Sequence, residues 1–135
     1  MFKKLALISI LFSLLSACST QQPIHNVQDS LVPPKHDGTL LTKQEVNQAI
    51  VKAATFKRWK ASNLDEDTVQ AKITVRGRHH ATVFIDYSEL SYNITLQSSD
   101  GLDEKNGKIH RNYNKWIILL DEQIQAELLE ASSGG

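Results

Sequence analysis

The richest run of hydrogen-bonding side chains in the sequence is His110-Arg111-Asn112-Tyr113-Asn114, which stands beside the aromatic Trp116. Its imidazole, guanidinium, amide and phenol groups supply many donors, so one interpretation is a recognition surface for a partner or a ligand. The other interpretation is helix initiation, in which Asn112 or His110 accepts the first free backbone N–H groups while Tyr113 and Trp116 pack in the core. The residue types favour helix initiation and leave recognition open.

A second pair with functional potential is Arg58-Trp59, at the expected end of a helix. The pair is either a stacked cation–π contact that closes the helix end or an exposed anchor for a partner. Together with His110, Asn112 and Tyr113, these two residues form the candidate interaction patch. If the protein were an enzyme, the least implausible reacting groups would be those of His110, Arg58 and Tyr113.

Metal and acid–base chemistry have weaker candidates. His79 and His80 are adjacent, and neighbouring residues of a strand point to opposite faces, so the two rings cannot readily bind one metal ion. Asp86 and Glu89 are separated by a predicted turn, which favours two surface acids over a catalytic pair. No G-x-S-x-G, H-E-x-x-H or phosphate-loop motif occurs in the sequence. We therefore predict no catalytic residues, no metal site and no cofactor, and consider an enzyme less probable than a binding protein.

The first element that would position these groups is a helix with strong start signals. Thr42 and Glu45 match the S/T-x-x-E capping box, and Leu41 with Val46 matches the hydrophobic staple. Apolar residues then recur at helical spacing and define one buried stripe, namely Val46, Ala49, Ile50, Ala53 and Phe56. Basic residues at 57, 58 and 60 are expected in the last turn, where they complement the helix dipole. Ser62-Asn63 is expected to end the helix.

The pattern then changes to the period of two that is typical of strands. Residues 69–76, 80–87 and 91–97 alternate apolar and polar side chains, apart from Phe84 on the polar face. Gly77-Arg78 is the expected turn between the first two runs. These three runs predict an antiparallel meander with one face in water. The glycine turns Asp100-Gly101 and Asn106-Gly107 bracket either a very short strand or an irregular loop.

A second amphipathic helix is predicted over residues 109–130, followed by a frayed tail at 131–135. Its buried face is expected to consist of Tyr113, Trp116, Ile117, Leu120, Ile124 and Leu128. Two amphipathic helices can cover the dry face of a sheet. The sequence therefore predicts an α+β domain over residues 40–130 with the order α-β-β-β-α, a three-stranded antiparallel meander covered by two helices.

Residues 18–39 precede this domain and contain all three prolines of the sequence, Pro23, Pro33 and Pro34, among polar residues. Such a segment has little apolar surface to bury against its ordering entropy, so we expect a disordered tether. A segment that folds when it meets a partner is the alternative.

The beginning of the sequence resembles the signal peptide of bacterial lipoprotein precursors. Two lysines precede an eleven-residue run at 5–15 that is apolar apart from Ser9 and Ser13. This run is shorter than the roughly 18 to 20 apolar residues that a membrane-spanning helix needs. The run ends in Leu15-Ser16-Ala17-Cys18, which resembles a lipobox. We therefore expect a signal peptide at 1–17; an ordinary secretory signal cut after Cys18 stays open.

Cys18 is the only cysteine, so the chain cannot form an internal disulfide or a thiolate metal cluster. The lipobox resemblance implies a diacylglyceryl thioether on Cys18 and usually an N-acyl group, which together supply the two or more chains that stable anchoring needs. With Ser19 after the cysteine, the resemblance implies release to the inner, periplasmic leaflet of the outer membrane. The lipid bilayer is thus the first expected partner.

A wider resemblance combines Arg58-Trp59 with residues 109–117, Ile-His-Arg-Asn-Tyr-Asn-Lys-Trp-Ile. This combination is similar to small uncharacterised lipoproteins of Gram-negative bacteria, over the signal and roughly residues 40–128. The resemblance implies an envelope address and a fold, and no activity.

Charge narrows the possible partners. The sequence holds 15 basic and 15 acidic residues, and removal of the signal would leave 13 basic residues, a net charge of −2. Such a domain lacks the electrostatic footprint of a nucleic-acid-binding protein. We therefore expect a lipid-anchored envelope protein that acts as a tethered protein-interaction module. The alternative is an envelope binder of a small ligand or glycan, or a weakly marked enzyme.

Overall fold

The structure, a computed structural model, describes residues 20–134. The predicted signal peptide at 1–17 and the expected lipid attachment at Cys18 lie outside the described residues. The described part of the chain contains, in order, β1 (Gln21–Pro23), β2 (Val27–Leu31), α1 (Lys43–Phe56), β3 (Lys60–Asp65), β4 (Thr68–Val75), β5 (His79–Tyr87), β6 (Ser91–Asp100), β7 (Lys108–His110) and α2 (Arg111–Ser133).

The fold class is α+β, as predicted, but the three-stranded meander is too small. Over residues 20–134 the main sheet has five antiparallel strands in the order β2-β6-β5-β4-β3, and β1 pairs with β7 in a separate two-stranded sheet. The three predicted runs are the central strands β4, β5 and β6. Both added edge strands lack a clear alternation of apolar and polar residues, so their pairing could not be detected from periodicity.

Helix α1 begins as predicted and ends earlier. The Thr42 side chain accepts a hydrogen bond from the Glu45 backbone N–H, and the Glu45 side chain accepts one from the Thr42 N–H, which completes the capping box. The helix stops because Arg58 takes a left-handed backbone, with φ 67°, and the Trp59 N–H donates to the Ala54 carbonyl at 2.8 Å. This is a Schellman-type C-terminus built on arginine in place of glycine. Phe56, expected in the buried stripe, is 67% exposed.

The earlier end of α1 has a direct consequence for the sheet. Residues 62–63, predicted to end the helix, lie within β3, where Ser62 pairs with Gln70 and Asn63 pairs with Val69. Strand β3 runs antiparallel to β4 and forms one edge of the sheet. The chain therefore passes directly from the Schellman turn into strand β3. This is why the region predicted to end the helix contains an additional strand of the sheet.

The segment expected to be a free tether is folded. Strand β2 pairs with β6, with Val27 opposite Ile94, and both Val27 and Val32 are buried. A register shift in this pairing is bridged by side chains, since the Asp29 N–H donates to Asn93 Oδ1 at 2.7 Å and the Leu96 N–H donates to Asn26 Oδ1 at 3.2 Å. Residues 20–38 thus belong to the domain, which begins well before the predicted boundary at residue 40.

Both helices cover one face of the sheet and contact each other, with α1 over β3, β4 and β5. The buried face of α2 contains Tyr113, Ile117, Leu120, Ile124 and Leu128, as predicted, while Trp116 is only half-buried. The helix continues to Ser133, and Ser132 is buried, so part of the expected frayed tail is helical. A single core cluster joins both helices to the sheet and to Val27 and Val32.

The capping box makes a testable contribution to stability. We expect Thr42→Ala to lower the free energy of unfolding by roughly 0.5 to 2 kcal/mol, because the Glu45 N–H loses its acceptor and the cap conformation loses its support. Urea unfolding followed by circular dichroism measures this change. The matched control is Thr55→Ala in the last turn of α1, which should be neutral or slightly stabilising. Equal losses in both variants would contradict a role for the cap.

Candidate functional site

A cleft of about 450 Å³ opens where three segments of the fold meet. These segments are the β4–β5 turn, the loop from residue 101 to residue 107 with the strand β7 that follows it, and the first turns of α2. The residues that line the cleft are Val75, Arg76, His79, Leu102, His110, Asn112, Lys115 and Trp116. We call this the histidine cleft. It brings together side chains from positions about 40 residues apart in the chain.

The β4–β5 turn forms one wall of the histidine cleft. Arg76 and Gly77 both have positive φ, 54° and 67°, and the Arg78 N–H donates to the Val75 carbonyl at 3.3 Å. These are the features of a tight hairpin turn centred on Arg76-Gly77, one residue earlier than the predicted Gly77-Arg78. The turn places Arg76 at the rim of the cleft.

His79 lies on the helix-facing side of β5 and is held by the next loop. Its Nδ1 is 2.7 Å from the Gly101 carbonyl oxygen, and because a carbonyl only accepts, Nδ1 carries the hydrogen. Its Nε2 is then an acceptor in the neutral ring and a donor in the charged ring. Gly101 has φ 70°, and a Cβ there would lie 2.2 Å from the Arg78 carbonyl oxygen. Only glycine therefore allows the two loops to approach closely enough to hold the ring.

His110 has the opposite hydrogen-bond arrangement. It is the N-cap of α2, and its Nδ1 accepts a hydrogen bond from the Asn112 backbone N–H at 3.1 Å. Nδ1 must therefore be unprotonated, which puts the hydrogen of the neutral ring on Nε2, a donor. Helix initiation, one of the two interpretations of this stretch, is thus what the His110 side chain does, and the same ring still lines the cleft.

The electrostatics of the histidine cleft favour an anion. Arg76 and Lys115 supply two cations, and the amino end of α2 adds the partial positive charge of a helix N-terminus. None of the described residues that line the cleft is acidic. Trp116, Val75 and Leu102 give the cleft an apolar wall beside these charges. Such a site can hold a small anionic group together with an attached apolar or planar portion.

The five residues of the candidate interaction patch are not brought together. Only His110 and Asn112 line the cleft. Trp59 is 3% exposed and Tyr113 is fully buried, so both are core residues, while Arg58 is exposed outside the cleft. The cation–π contact at this helix end joins Lys57 to the Phe56 ring, with Nζ 5.6 Å from the ring centre. Recognition by the whole patch would need two side chains that solvent does not reach.

The other sequence candidates have ordinary structural partners. His80 lies on the outer face of the sheet, where its Nδ1 is 2.9 Å from Thr74 Oγ1. His79 and His80 point to opposite faces of the sheet and therefore bind different partners. Asp86 accepts a hydrogen bond from Thr68 Oγ1 at 2.8 Å. Between residues 20 and 134, no group of three or more His, Cys, Asp or Glu side chains is placed to hold a metal ion.

Sequence reasoning missed Arg76, His79 and Lys115 as members of one site. Arg76-Gly77 is recognisable as a turn, but nothing in the pattern indicates that this turn lies against the start of α2. Trp116 was assigned to the core stripe, but it is only half-buried and lines the cleft.

No family model, curated protein or solved structure matches this chain. Within residues 20–134, neither helix has the length and apolar character to cross a membrane.

Proposed function

We propose that this protein is a lipid-anchored protein of the cell envelope whose folded domain binds a small anionic ligand in the histidine cleft. The observation that carries the binding proposal is the convergence of Arg76, Lys115 and the helix N-terminus on a cleft with no acidic lining residue among those described. Nδ1 is occupied in both histidines, so each presents Nε2: that of His110 carries a hydrogen and can donate to a phosphate or carboxylate oxygen, and that of His79 can do so when its ring is protonated.

The anchor is supported by the sequence. Residues 15–18 resemble a lipobox, and residues 58–59 and 109–117 resemble small lipoproteins of Gram-negative bacteria. Cys18 would carry the acyl chains, and the location would be the inner leaflet of the outer membrane. The intact mass of the protein purified from membranes tests this step. An acyl mass that is absent from Cys18→Ala is the expected result, and an unmodified thiol in the wild-type chain would end the lipoprotein proposal.

A second candidate function is a protein-interaction module. It is favoured by the sheet, whose edge strand β3 pairs only with β4 within the described part of the chain and exposes Leu64 by 53%. An extended segment of a partner protein can add to such an edge through backbone hydrogen bonds. Because residues 20–38 are folded, this module would be held close to its anchor and would not reach out on a long tether.

Anion binding is tested with inorganic pyrophosphate as the probe. Calorimetric titration of the mature acylated protein in detergent should give saturable binding, and Lys115→Gln should weaken the affinity by about tenfold or more. Loss of one charged hydrogen bond contributes roughly 1.5 to 3 kcal/mol, and each 1.4 kcal/mol is a factor of ten.

The matched control is Lys72→Gln, which changes an exposed lysine of β4 on the opposite side of the sheet. This variant should bind pyrophosphate as the wild-type chain does. Equal weakening in Lys72→Gln and Lys115→Gln would mean that the probe responds to overall charge, and absence of binding to the wild-type chain would remove the histidine cleft as an anion site.

A further inference from the structure

The position of Thr20, the first described residue, limits where an anchor on Cys18 would attach. The Thr20 carbonyl accepts a hydrogen bond from the Arg111 N–H at 2.7 Å, and Gln21 pairs with His110 in the β1–β7 ladder. The chain therefore joins the folded domain at the N-terminus of α2. Cys18 is two residues before Thr20 in the sequence, and two residues of chain span at most roughly 7 Å, so an acyl anchor on Cys18 would attach at this end of the domain.

The charges of α2 run against its dipole. Arg111 and Lys115 lie in the first five residues, and from Trp116 to the end of the sequence there is no further lysine or arginine. The later part of the helix carries the acidic residues Asp121, Glu122, Glu127 and Glu130, and its last turn contains no basic residue. Helices are stabilised by the reverse distribution, with acids at the start and bases at the end. Helix stability therefore does not account for the basic residues at this end.

The basic end of α2 also exposes apolar surface. A depression of about 370 Å³ adjoins the histidine cleft, shares Asn112 and Lys115 with it, and is lined further by Gln22, Arg111, Asn114 and Ile118. Ile118 is 46% exposed, and Trp116 is half-buried at the cleft. We call the combination of cleft and depression the anchor-end surface.

Nearby loops add charges of both signs around the anchor-end surface. The β4–β5 turn contributes Arg78 beside Arg76, and the loop and strand before α2 contribute Lys105 and Lys108. The acids of the same region are Asp100, Asp103 and Glu104, all exposed. With Arg111 and Lys115 included, this end of the domain carries six basic residues and three acidic residues. Its net charge is therefore positive, although the whole chain has a net charge of zero.

We propose that the anchor-end surface docks on the anionic phospholipid headgroups of the same membrane that holds acylated Cys18, with a headgroup phosphate in the histidine cleft. This inference rests on the proposed lipid anchor and names the anion of the proposed cleft. Basic residues next to a membrane attachment point are attracted to an anionic lipid surface. Aromatic and aliphatic side chains such as Trp116 and Ile118 are favoured at headgroup depth, where one side is apolar and the other is wet.

Docking would also give the domain a fixed orientation. The acyl chains hold the β1–β7 end at the membrane, and the cations of that end prevent the domain from tilting away. The acidic half of α2 then points away from the anionic bilayer surface, which repels it. This arrangement gives the basic start of the helix a partner and keeps its acidic remainder, where Glu127 pairs with Lys52 within the domain, clear of the bilayer.

The test uses the full chain, expressed with its own signal and purified in acylated form. Because acylation occupies Cys18, the only cysteine, a single new thiol can be labelled with a polarity-sensitive fluorophore. The two labelling variants are Ile118→Cys and Leu129→Cys. Ile118 lies in the anchor-end surface, and Leu129 is an exposed leucine near the acidic end of the same helix. Each is reconstituted into vesicles of phosphatidylcholine, with and without phosphatidylglycerol, that carry a headgroup-linked quencher.

We expect the label at residue 118 to be quenched in vesicles that contain phosphatidylglycerol and to be quenched far less in vesicles of phosphatidylcholine alone. The label at residue 129 should not be quenched in either kind of vesicle.

Lys115→Glu should weaken docking by about tenfold or more. Each cation near an anionic surface increases the binding constant by about fivefold, and a charge reversal removes one attraction and adds one repulsion. Lys115→Glu also suits the helix dipole, so this variant should stay folded. Lys72→Glu, on the outer face of the sheet, is the control and should dock normally. Salt at 1 M, where the Debye length is about 3 Å, should release the domain.

The outcomes separate the two proposals. If the acylated chain inserts into vesicles and the two labels respond equally, or neither responds to phosphatidylglycerol, the docking proposal is overturned while the anchor stands. If the purified chain carries no acyl mass and does not insert, the anchor itself fails and docking fails with it. Quenching at residue 118 that persists in Lys115→Glu would also overturn docking through the histidine cleft.

Discussion

Val27→Asp should destabilise the domain by about 3 kcal/mol or more, because it places an unpaired charge in a buried position of β2. Val27 is 7% exposed and lies opposite Ile94 of the neighbouring strand. Small domains of this size have total stabilities of roughly 5 to 15 kcal/mol, so the loss should be obvious as a lower midpoint in urea unfolding. A disordered tether at residues 19–38 would predict no effect at all.

The control for this experiment lies four residues further along the same strand. Leu31 is 75% exposed, so Leu31→Asp places the same charge in water, and the free energy of unfolding should change by no more than about 0.5 kcal/mol. If both substitutions were silent, residues 20–38 would have to be detached from the domain in solution, and the close attachment of the anchor to α2 would fall as well.

Two fully buried tyrosines should respond differently to the loss of their hydroxyl groups. The Tyr92 hydroxyl donates to Asp121 and accepts a hydrogen bond from Gln125 Nε2 at 2.9 Å. Gln125 Nε2 also donates to the Leu31 carbonyl at 3.1 Å, so this group of contacts joins α2 to β6 and β2. Tyr92→Phe removes the donor to Asp121 and one of the acceptors of Gln125, so it should lower the free energy of unfolding by roughly 1 to 3 kcal/mol.

Tyr113 provides the matched comparison. Its ring is fully buried, and its hydroxyl has no hydrogen-bond partner among residues 20–134. Tyr113→Phe removes an unsatisfied polar group, so it should be neutral or stabilising by up to about 1 kcal/mol. Urea unfolding of both variants measures the difference. If Tyr113→Phe destabilised the domain as much as Tyr92→Phe, the Tyr113 hydroxyl would have to possess a partner in solution.

The same tyrosines give the domain a predictable response to alkaline pH. Burial raises the pKa of Tyr92 and of Tyr113 above the ordinary value of 10.0; the hydrogen bond to Asp121 raises the pKa of Tyr92 further, and the negative charge of Glu104 raises that of Tyr113. Above pH 10 the unfolded chain loses protons that the folded chain retains, so the free energy of unfolding should fall as the pH rises. Well below pH 10 both tyrosines stay protonated in the folded and the unfolded chain, so they do not contribute to the pH dependence of stability. Tyr92→Phe and Tyr113→Phe should each reduce the slope of the free energy of unfolding against pH above pH 10.

Several elements could be predicted from the sequence because their signals are local. The capping box at Thr42 and Glu45 needs only residues three apart, and it is present. The alternation that defines β4, β5 and β6, and the apolar stripe of α2, arise from the geometry of single elements. These patterns were sufficient for the α+β class and for most of the core, including Tyr113 and Ile124.

Other features depended on contacts between distant residues. Strand β2 contributes little apolar surface, and it is held by β6 and by Asn93 and Gln125, which are more than 60 residues away. The left-handed turn at Arg58, which ends α1 and lets β3 begin, uses a residue that favours helix, so propensity predicts continuation.

The histidine cleft shows the same division. The sequence by itself determined that His110 and Asn112 lie at the start of a helix and that a hairpin turn includes Gly77. Only the tertiary structure decided that this hairpin meets that helix, and so joined His79 to His110. Periodicity identifies the buried face of each element, whereas the neighbours of each element are set by how all the buried faces pack into one core.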